Sequence, residues 1–115
     1  MSRKIELYLN DILISIKRIE DYAKNLSFGE FTKDQKTIDA VIRNLEIIGE
    51  AVKKIPHKIR SKYAYDWRSV AGLKDILIHK YFGVSIKIVW DIIKNELLEL
   101  EKLIKKILED EQFHE

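Results

Sequence analysis

The chain has 115 residues, a length that suits one compact domain spanning residues 1–115. Its net charge of +2, from 21 basic and 19 acidic side chains, excludes bulk electrostatic binding of duplex DNA, so any nucleic acid must be held by a local cluster. Cysteine is absent and no apolar run approaches the roughly 18–20 residues that span a bilayer, which excludes disulfides, thiolate metal sites and a transmembrane helix.

The first predicted helix follows a start that is charged from Arg3 onward, too early for a secretory signal, so we expect a cytoplasmic protein. Apolar residues in alternating steps of three and four predict that this helix runs from about residue 3 to about residue 25. The repeating apolar positions are Ile5, Leu9, Ile12, Ile16, Ile19 and Ala23. The segment Ser27–Glu30 is predicted to break the first helix. Thr32 is then predicted to be the N-cap of a second helix, with Gln35 completing a capping box.

The second helix is predicted to end at Pro56, which can itself begin a short helical turn through Arg60. Asp66 is predicted to cap a third helix and Ser85 a fourth, and the polar residues 110–115 are predicted to fray. The apolar faces are Ile38, Val41, Ile42, Leu45, Ile48, Val52 and Ile55 in the second helix, Trp67, Val70, Leu73, Leu77 and Ile78 in the third, and Ile86, Val89, Trp90, Ile93, Leu97, Leu100, Ile104 and Ile107 in the fourth. Four helices with short connections predict an all-α fold, an antiparallel up-and-down four-helix bundle with one short extra helical turn.

The fourth helix also carries apolar residues away from its main face, namely Leu98, Leu103 and Leu108. A wide core-facing surface is the more common explanation. The alternative is a subunit interface, since a domain of this length buries only a small core. Trp67 and Trp90 could stack on nucleic-acid bases, but their helical spacing among aliphatic residues favours the core.

The most unusual segment contains Asp75 and His79, which are four residues apart and so lie on one face of a helix within hydrogen-bonding reach. Lys74 lies about 140° from His79 around such a helix, and would join it only at a helix end or across a dimer. Histidine can move protons near neutral pH, a carboxylate can orient its ring, and a cation can stabilise a pentavalent phosphorus. These groups suit RNA cleavage without a metal, although from spacing alone a helix-stabilising pair is the more common case.

The same segment carries a resemblance to a known family. The stretches Trp67–Val84 and Ile88–Trp90, together with Arg43–Ala51 on the second helix, resemble HepT-type HEPN proteins, and with helix order and length the similarity covers essentially the whole chain. The family motif is an arginine, an asparagine or aspartate, three variable residues, a histidine, one residue and a tyrosine. This chain matches every element except the arginine, which is Lys74 here.

The resemblance implies an HEPN-like bundle that works as a homodimer with its two motif segments facing one another. It also implies the toxin of a type VII toxin–antitoxin module, a ribonuclease that needs neither metal nor cofactor. His79 would be the general acid and base, with Asp75 as its polar neighbour and Lys74 as the motif cation. The implied partner is an MntA-type minimal nucleotidyltransferase antitoxin, which would attach AMP to Tyr81 and place bulk and negative charge at the RNA-cleaving cleft.

Three further cations are candidates for binding the RNA substrate: Arg43, Arg68 and Lys80. Arg43 and Glu50 lie seven residues apart on one face of the second helix, where a pair of solvated charges is the simpler interpretation. The resemblance shifts the interpretation of Arg43 toward a cleft residue. Arg68 could contact phosphate or be an ordinary charge in the first turn of the third helix.

The lysine in the motif leaves alternatives open. Lysine keeps the positive charge but loses the planar fork with which arginine binds a phosphate at two points. The chain could be a slower nuclease, which we favour, or a nuclease that uses Arg43 or Arg68 as its cation. It could also be a non-catalytic HEPN subunit that docks a nucleotidyltransferase or a nucleotide, or a helical dimerisation domain with no role in nucleic-acid chemistry.

Overall fold

The computed structural model describes residues 2–73 and 86–111, and every regular element in these ranges is helical, as the apolar spacing predicted. The helices are α1 (Arg3–Ala23), α2 (Phe28–Thr32), α3 (Gln35–Lys53), α4 (His57–Arg60), α5 (Trp67–Ala71), α6 (Ile86–Asp91) and α7 (Leu97–Glu111). A π-helical turn, Ile92–Glu96, joins α6 to α7, and these three segments are called the C-terminal helix below. The fold is therefore all-α.

The first helix, α1, runs antiparallel to both α3 and the C-terminal helix. Lys54, at the end of α3, places its Nζ 5.2 Å from the ring centroid of Tyr8, near the start of α1. Ile5 of α1 and Glu111, at the end of α7, line the same hollow. The up-and-down order predicted from the short connections is thus seen in these three elements.

The core is formed by the apolar faces that the spacing identified. Its largest fully buried side chains are Phe31, Leu9, Ile12, Ile16, Ile19, Leu45, Ile48, Ile55, Leu100, Ile104, Ile107 and Val41. Each aliphatic side chain removed from water in this way stabilises the fold by roughly 1.5–3 kcal/mol before conformational entropy is counted. Leu103 and Leu108 pack against this core, whereas Leu98 is about half exposed, at 49%.

Helix α1 begins where it was predicted to begin. The Ser2 hydroxyl accepts a hydrogen bond from the Ile5 N–H at 3.3 Å and so caps the first turn. The helix ends at Ala23, two residues earlier than expected, because the backbone of Lys24 is extended, with ψ 146°, and Asn25 then adopts a positive φ of 70°.

The segment Ser27–Glu30, predicted to be a break, instead begins the short helix α2. The Ser27 hydroxyl accepts from the Glu30 N–H at 3.1 Å, and the Ser27 N–H donates to Glu30 Oε1 at 2.9 Å, which completes a capping box. This helix buries Phe31 completely, so packing against the core stabilises an element too short to persist alone.

The predicted capping box of Thr32 and Gln35 is wrong. Thr32 ends α2, and its hydroxyl donates to the Gly29 carbonyl at 2.7 Å instead of accepting from the next helix. Asp34 caps α3, accepting from the Thr37 N–H at 3.0 Å. Its charged oxygen is a stronger acceptor than a hydroxyl, and the hydroxyl is already engaged.

The two predictions for the middle of the chain are confirmed. Pro56 precedes the four-residue helix α4, and Asp66 caps α5 through a bond from the Ser69 N–H at 3.2 Å. Ser85, the predicted cap of the fourth helix, lies outside the described residues.

The C-terminal helix keeps its predicted apolar face but contains a wide turn that the spacing did not predict. The Leu97 N–H bonds to the Ile92 carbonyl, five residues back, in the π-helical turn. The turn coincides with two successive steps of four, from Val89 to Ile93 to Leu97, a spacing that an ordinary helix also shows, so the sequence did not reveal it. The end of this helix was predicted to fray, yet Asp110 and Glu111 are still helical.

Candidate functional site

The residues predicted to carry the chemistry fall in one segment of the chain. Lys74, Asp75, His79, Lys80 and Tyr81 all lie outside the described residues, so their roles stay predictions. The structure describes the helix that leads into this segment, the helix that leaves it, and two of the predicted substrate-binding cations.

The helix that leads into the motif segment, α5, is fixed to the connector before it. The Trp67 indole Nε1–H lies 3.1 Å from the Arg60 carbonyl and 3.2 Å from the Tyr63 carbonyl and donates to both. The Tyr65 and Trp67 rings meet edge to face, with centroids 5.2 Å apart. Trp67 and Val70 are both 8% exposed, so α5 is anchored in the core, as predicted for Trp67.

The helix that leaves the motif segment, α6, is anchored by Val89 and Trp90. Val89 is buried, and the Trp90 ring packs against Phe31 of α2, with centroids 5.0 Å apart. The Lys94 ammonium lies 4.5 Å from the Trp90 ring centroid, a cation–π contact on the solvent side. These contacts place Trp90 at the edge of the core, in line with its predicted packing role.

Arg43 lies on the exposed side of α3. Its Nη1 is 3.6 Å from Glu46 Oε2, and 71% of its side chain is exposed. Glu50, two turns further along the same face, has its Oε1 3.7 Å from Lys53 Nζ. Because exposed ion pairs of this kind stabilise by only about 0–1 kcal/mol, the Arg43 guanidinium can exchange Glu46 for a phosphate at small cost.

Arg68, the second described cation, belongs to a hollow of about 400 Å³ between α4 and the start of α5. We call it the basic hollow and define it by His57, Arg60 and Arg68, which line it together with Asp66. Arg68 is exposed and Arg60 is half-buried. Sequence reasoning missed Arg60, because a single arginine at the end of a four-residue helix carries no periodic signal.

A second depression has the opposite charge. It holds about 340 Å³ and is defined here as the acidic groove, with Leu73 and Ile88 in its wall and Glu96 and Glu99 at its rim. Burial raises the pKa of the Tyr65 hydroxyl in its lining, and the carboxylates of Glu96 and Glu99 raise it further. A surface of this charge repels a phosphate backbone, so it is no route for RNA.

The part of the chain that the structure describes offers neither a metal-ligand cluster nor a membrane-spanning helix. Within residues 2–73 and 86–111, no three His, Asp or Glu side chains stand close enough together to hold a metal ion. In the same ranges, no helix has the combined length and apolarity that crossing a lipid bilayer requires.

Comparison with known families assigns the chain. A family described as ribonuclease HepT-like matches residues 12–107. The chain belongs to this HepT-like family. The match extends from the middle of α1 to the end of the α7 core and includes the whole segment that carries the predicted motif.

Individual relatives of this HepT-like chain agree with the family. A candidate RNase of Methanocaldococcus jannaschii is 44% identical over 110 residues, covering 91% of each chain. A candidate RNase of Caldanaerobacter subterraneus is 44% identical over 106 residues, covering 91% of this chain and 95% of its own. A protein of Thermococcus cleftensis named probable ribonuclease HepT is 40% identical over 108 residues, covering 93% and 98%. No solved structure matches the chain.

Proposed function

We propose that this HepT-like protein is a metal-independent endoribonuclease, the toxin of a type VII toxin–antitoxin module acting in the cytoplasm. The observation that carries the proposal is the family match over residues 12–107, which contains the motif segment. Relatives that align over nine-tenths of their length and carry RNase names support the same activity.

In the proposed reaction, His79 takes the proton of a ribose 2′-hydroxyl, and the 2′-oxygen then bonds to the adjacent phosphorus. The bond from phosphorus to the 5′-oxygen breaks, and the leaving oxygen takes the proton from the His79 imidazolium, giving a 2′,3′-cyclic phosphate and a 5′-hydroxyl. Asp75 orients the imidazole, and Lys74 offsets the charge on the phosphorane oxygens. Two copies of the chain form the cleft, and Arg43, Arg68 and Lys80 bind the RNA on either side of it.

Silencing of the toxin is proposed to act on Tyr81. A nucleotidyltransferase antitoxin would transfer AMP from ATP to the Tyr81 hydroxyl, with pyrophosphate as the leaving group and loss of the hydroxyl proton. The added phosphate is negative and bulky, so it would repel and obstruct the RNA backbone at the cleft.

The substitution of lysine for the motif arginine favours a second candidate function. Because Lys74 lacks the planar fork that binds a phosphate at two points, the chain could serve as a non-catalytic subunit that docks a nucleotidyltransferase or a nucleotide. RNA cleavage separates the two candidates.

The test is an RNA cleavage assay with purified protein in EDTA. Wild-type protein should cleave tRNA or mRNA, His79→Ala should abolish cleavage, and His114→Ala is the matched histidine control that should retain it. Thermal melts of all three proteins check folding. If clean wild-type protein leaves every RNA intact while it binds a nucleotidyltransferase tightly, the docking function replaces the nuclease.

A further inference from the structure

The basic hollow lies outside the motif segment, and of its cations only Arg68 is used in the function proposed above. From its geometry we infer that Arg60, Arg68 and His57 form a subsite for a phosphodiester of the RNA strand, away from the bond that is cut. That the ligand is RNA rests on the proposed function. The site itself is argued from the described residues alone.

The charges that line the hollow favour an anion. Its lining contains two arginines, Arg60 and Arg68, and one carboxylate residue, Asp66. Both oxygens of this carboxylate are engaged by Ser69, whose N–H donates at 3.2 Å and whose hydroxyl donates at 2.6 Å. Among residues 2–73 and 86–111, no carboxylate lies within ion-pair distance of either guanidinium.

The Arg60 side chain gives a second reason to expect an anion in the basic hollow. Its Nε is buried and has no hydrogen-bond partner. A buried donor left without an acceptor costs roughly 1–3 kcal/mol, so this arginine gains from any oxygen that enters the hollow. A phosphodiester presents two anionic oxygens, which match the side-on fork of Nε and Nη after a small rotation of the flexible side chain.

The backbone around the hollow is held in place, so the site is built before a ligand arrives. The Arg60 and Tyr63 carbonyls both accept from the Trp67 indole, which lies in the core. This clamp fixes the distance between α4, which carries Arg60, and α5, which carries Arg68. A fixed backbone leaves only the two arginine side chains to be ordered on binding, which limits the loss of conformational entropy.

The opposite charges of the basic hollow and the acidic groove predict on which side of α5 the RNA backbone runs. Tyr65 and Asp66 line both depressions, so the basic hollow and the acidic groove lie on either side of the start of α5. A strand that passes the motif is attracted to the first and repelled by the second. The basic hollow is thus the side of α5 on which the RNA backbone should continue.

The experiment measures binding of a 2′-O-methyl RNA oligonucleotide, which cannot be cleaved, to the full chain as a function of salt. Arg60→Gln is compared with Lys58→Gln, because both remove one positive charge from α4 while Lys58 lines a different hollow, with Ile5 and Ile59. We expect the double variant R60Q/R68Q to bind about tenfold more weakly, the loss of one charged hydrogen bond. The plot of log affinity against log salt concentration should become shallower, its slope smaller in magnitude by about 0.7, which is the value for one phosphate of a single strand.

Equal effects of Arg60→Gln and Lys58→Gln on affinity and slope would overturn the inference. If Arg60→Gln does not fold, Arg60→Lys and Arg68→Gln test the same site, since the first keeps the positive charge but removes the planar guanidinium fork with its Nε donor. Binding of 5′-AMP as tightly as the oligonucleotide would also overturn it, because the site would then take a lone phosphate. Cleavage by wild-type protein, measured separately on natural RNA, decides the nuclease proposal whichever way the binding result falls.

Discussion

Tyr63 and Glu111 lie 48 residues apart in the sequence, and the Tyr63 hydroxyl donates a hydrogen bond of 2.9 Å to Glu111 Oε2. Lys62 Nζ lies 3.1 Å from the other carboxylate oxygen. The connector before α5 is thereby joined to the end of the C-terminal helix. The bond from Tyr63, with that from Lys62, holds the pKa of the Glu111 carboxyl below its ordinary value.

The first prediction tests this link with Tyr63→Phe. Losing the bond should lower the free energy of unfolding by about 1 kcal/mol, or the melting temperature by roughly 4–8 °C, measured by circular dichroism. Because the folded pKa of Glu111 is depressed, the stability it contributes is present above the unfolded value and is lost as pH falls through the folded value. The difference between wild type and Tyr63→Phe should therefore shrink in strong acid.

Tyr22→Phe is the matched control for this variant, since Tyr22 is 42% exposed on α1. Its melting temperature should equal that of the wild type. A Tyr63→Phe protein as stable as the Tyr22→Phe protein at pH 7 would show that the link contributes nothing.

The second prediction concerns Glu20 of α1, which faces Glu101 of α7. Burial raises the pKa of the Glu20 carboxyl, the neighbouring Glu101 raises it further, and one oxygen of Glu20 is buried without a partner. A raised carboxyl pKa means that the folded state binds this proton more tightly than the unfolded chain does. Stability from this group is therefore lost as pH rises through the folded pKa, and at pH 7 the charged carboxylate destabilises the fold.

Glu20→Gln should consequently raise the melting temperature at pH 7 and have no effect near pH 3.5, where the carboxyl is protonated in both states. Asp21→Asn is the control, because Asp21 already has a partner, Lys17, whose Nζ lies 3.1 Å from its Oδ1. That variant should not gain stability. A Glu20→Gln protein that melts below the wild type at pH 7 would contradict the assigned cause.

The third prediction separates the two possible capping boxes of the α1–α3 connection. Ser27→Ala removes the acceptor for the Glu30 N–H and should cost about 1 kcal/mol. Thr32→Ala removes only a bond to the Gly29 carbonyl within α2 and should be close to neutral, since alanine favours helix. Urea titrations of both variants measure this, and a larger loss for Thr32→Ala would restore the capping box predicted from the sequence.

The fourth prediction tests the motif lysine. Lys74→Arg restores the planar fork and should raise RNA cleavage roughly tenfold, which corresponds to about 1.4 kcal/mol of transition-state stabilisation. Lys58→Arg makes the same chemical change in α4 and should leave the cleavage rate unchanged. Equal rates for Lys74→Arg and wild type, with no cleavage by either, would favour the docking subunit.

The sequence predicted the helices well because their apolar spacing is set by the period of the backbone itself. The start of α1, the end of α3 before Pro56 and the cap at Asp66 all agree with the structure. The sequence could not decide which capping box forms, because Ser27–Glu30 and Thr32–Gln35 have the same pattern of residue types. The burial of Phe31, which fixes α2, and the capping of α3 by Asp34 decided between them.

In the candidate site, too, some residues were predicted from the sequence and one was found only in the structure. The motif and its family came from the sequence alone, because residue types at fixed spacing identify a chemistry without coordinates, and the match over residues 12–107 confirms the family. Arg43 and Arg68 were proposed from the sequence, whereas Arg60 was found only in the structure. Its importance depends on an empty space and a buried Nε, and neither has a pattern along the chain.

By itself, the sequence determined the all-α class, the core faces and the family, since each follows from near neighbours or from the order of residues. The tertiary structure decided which cap is used, where the wide turn falls in the C-terminal helix, and how Tyr63 reaches Glu111. It also decided that basic and acidic depressions flank the start of α5. These features depend on groups that are distant in sequence and meet only after the helices pack, so no local pattern carries them.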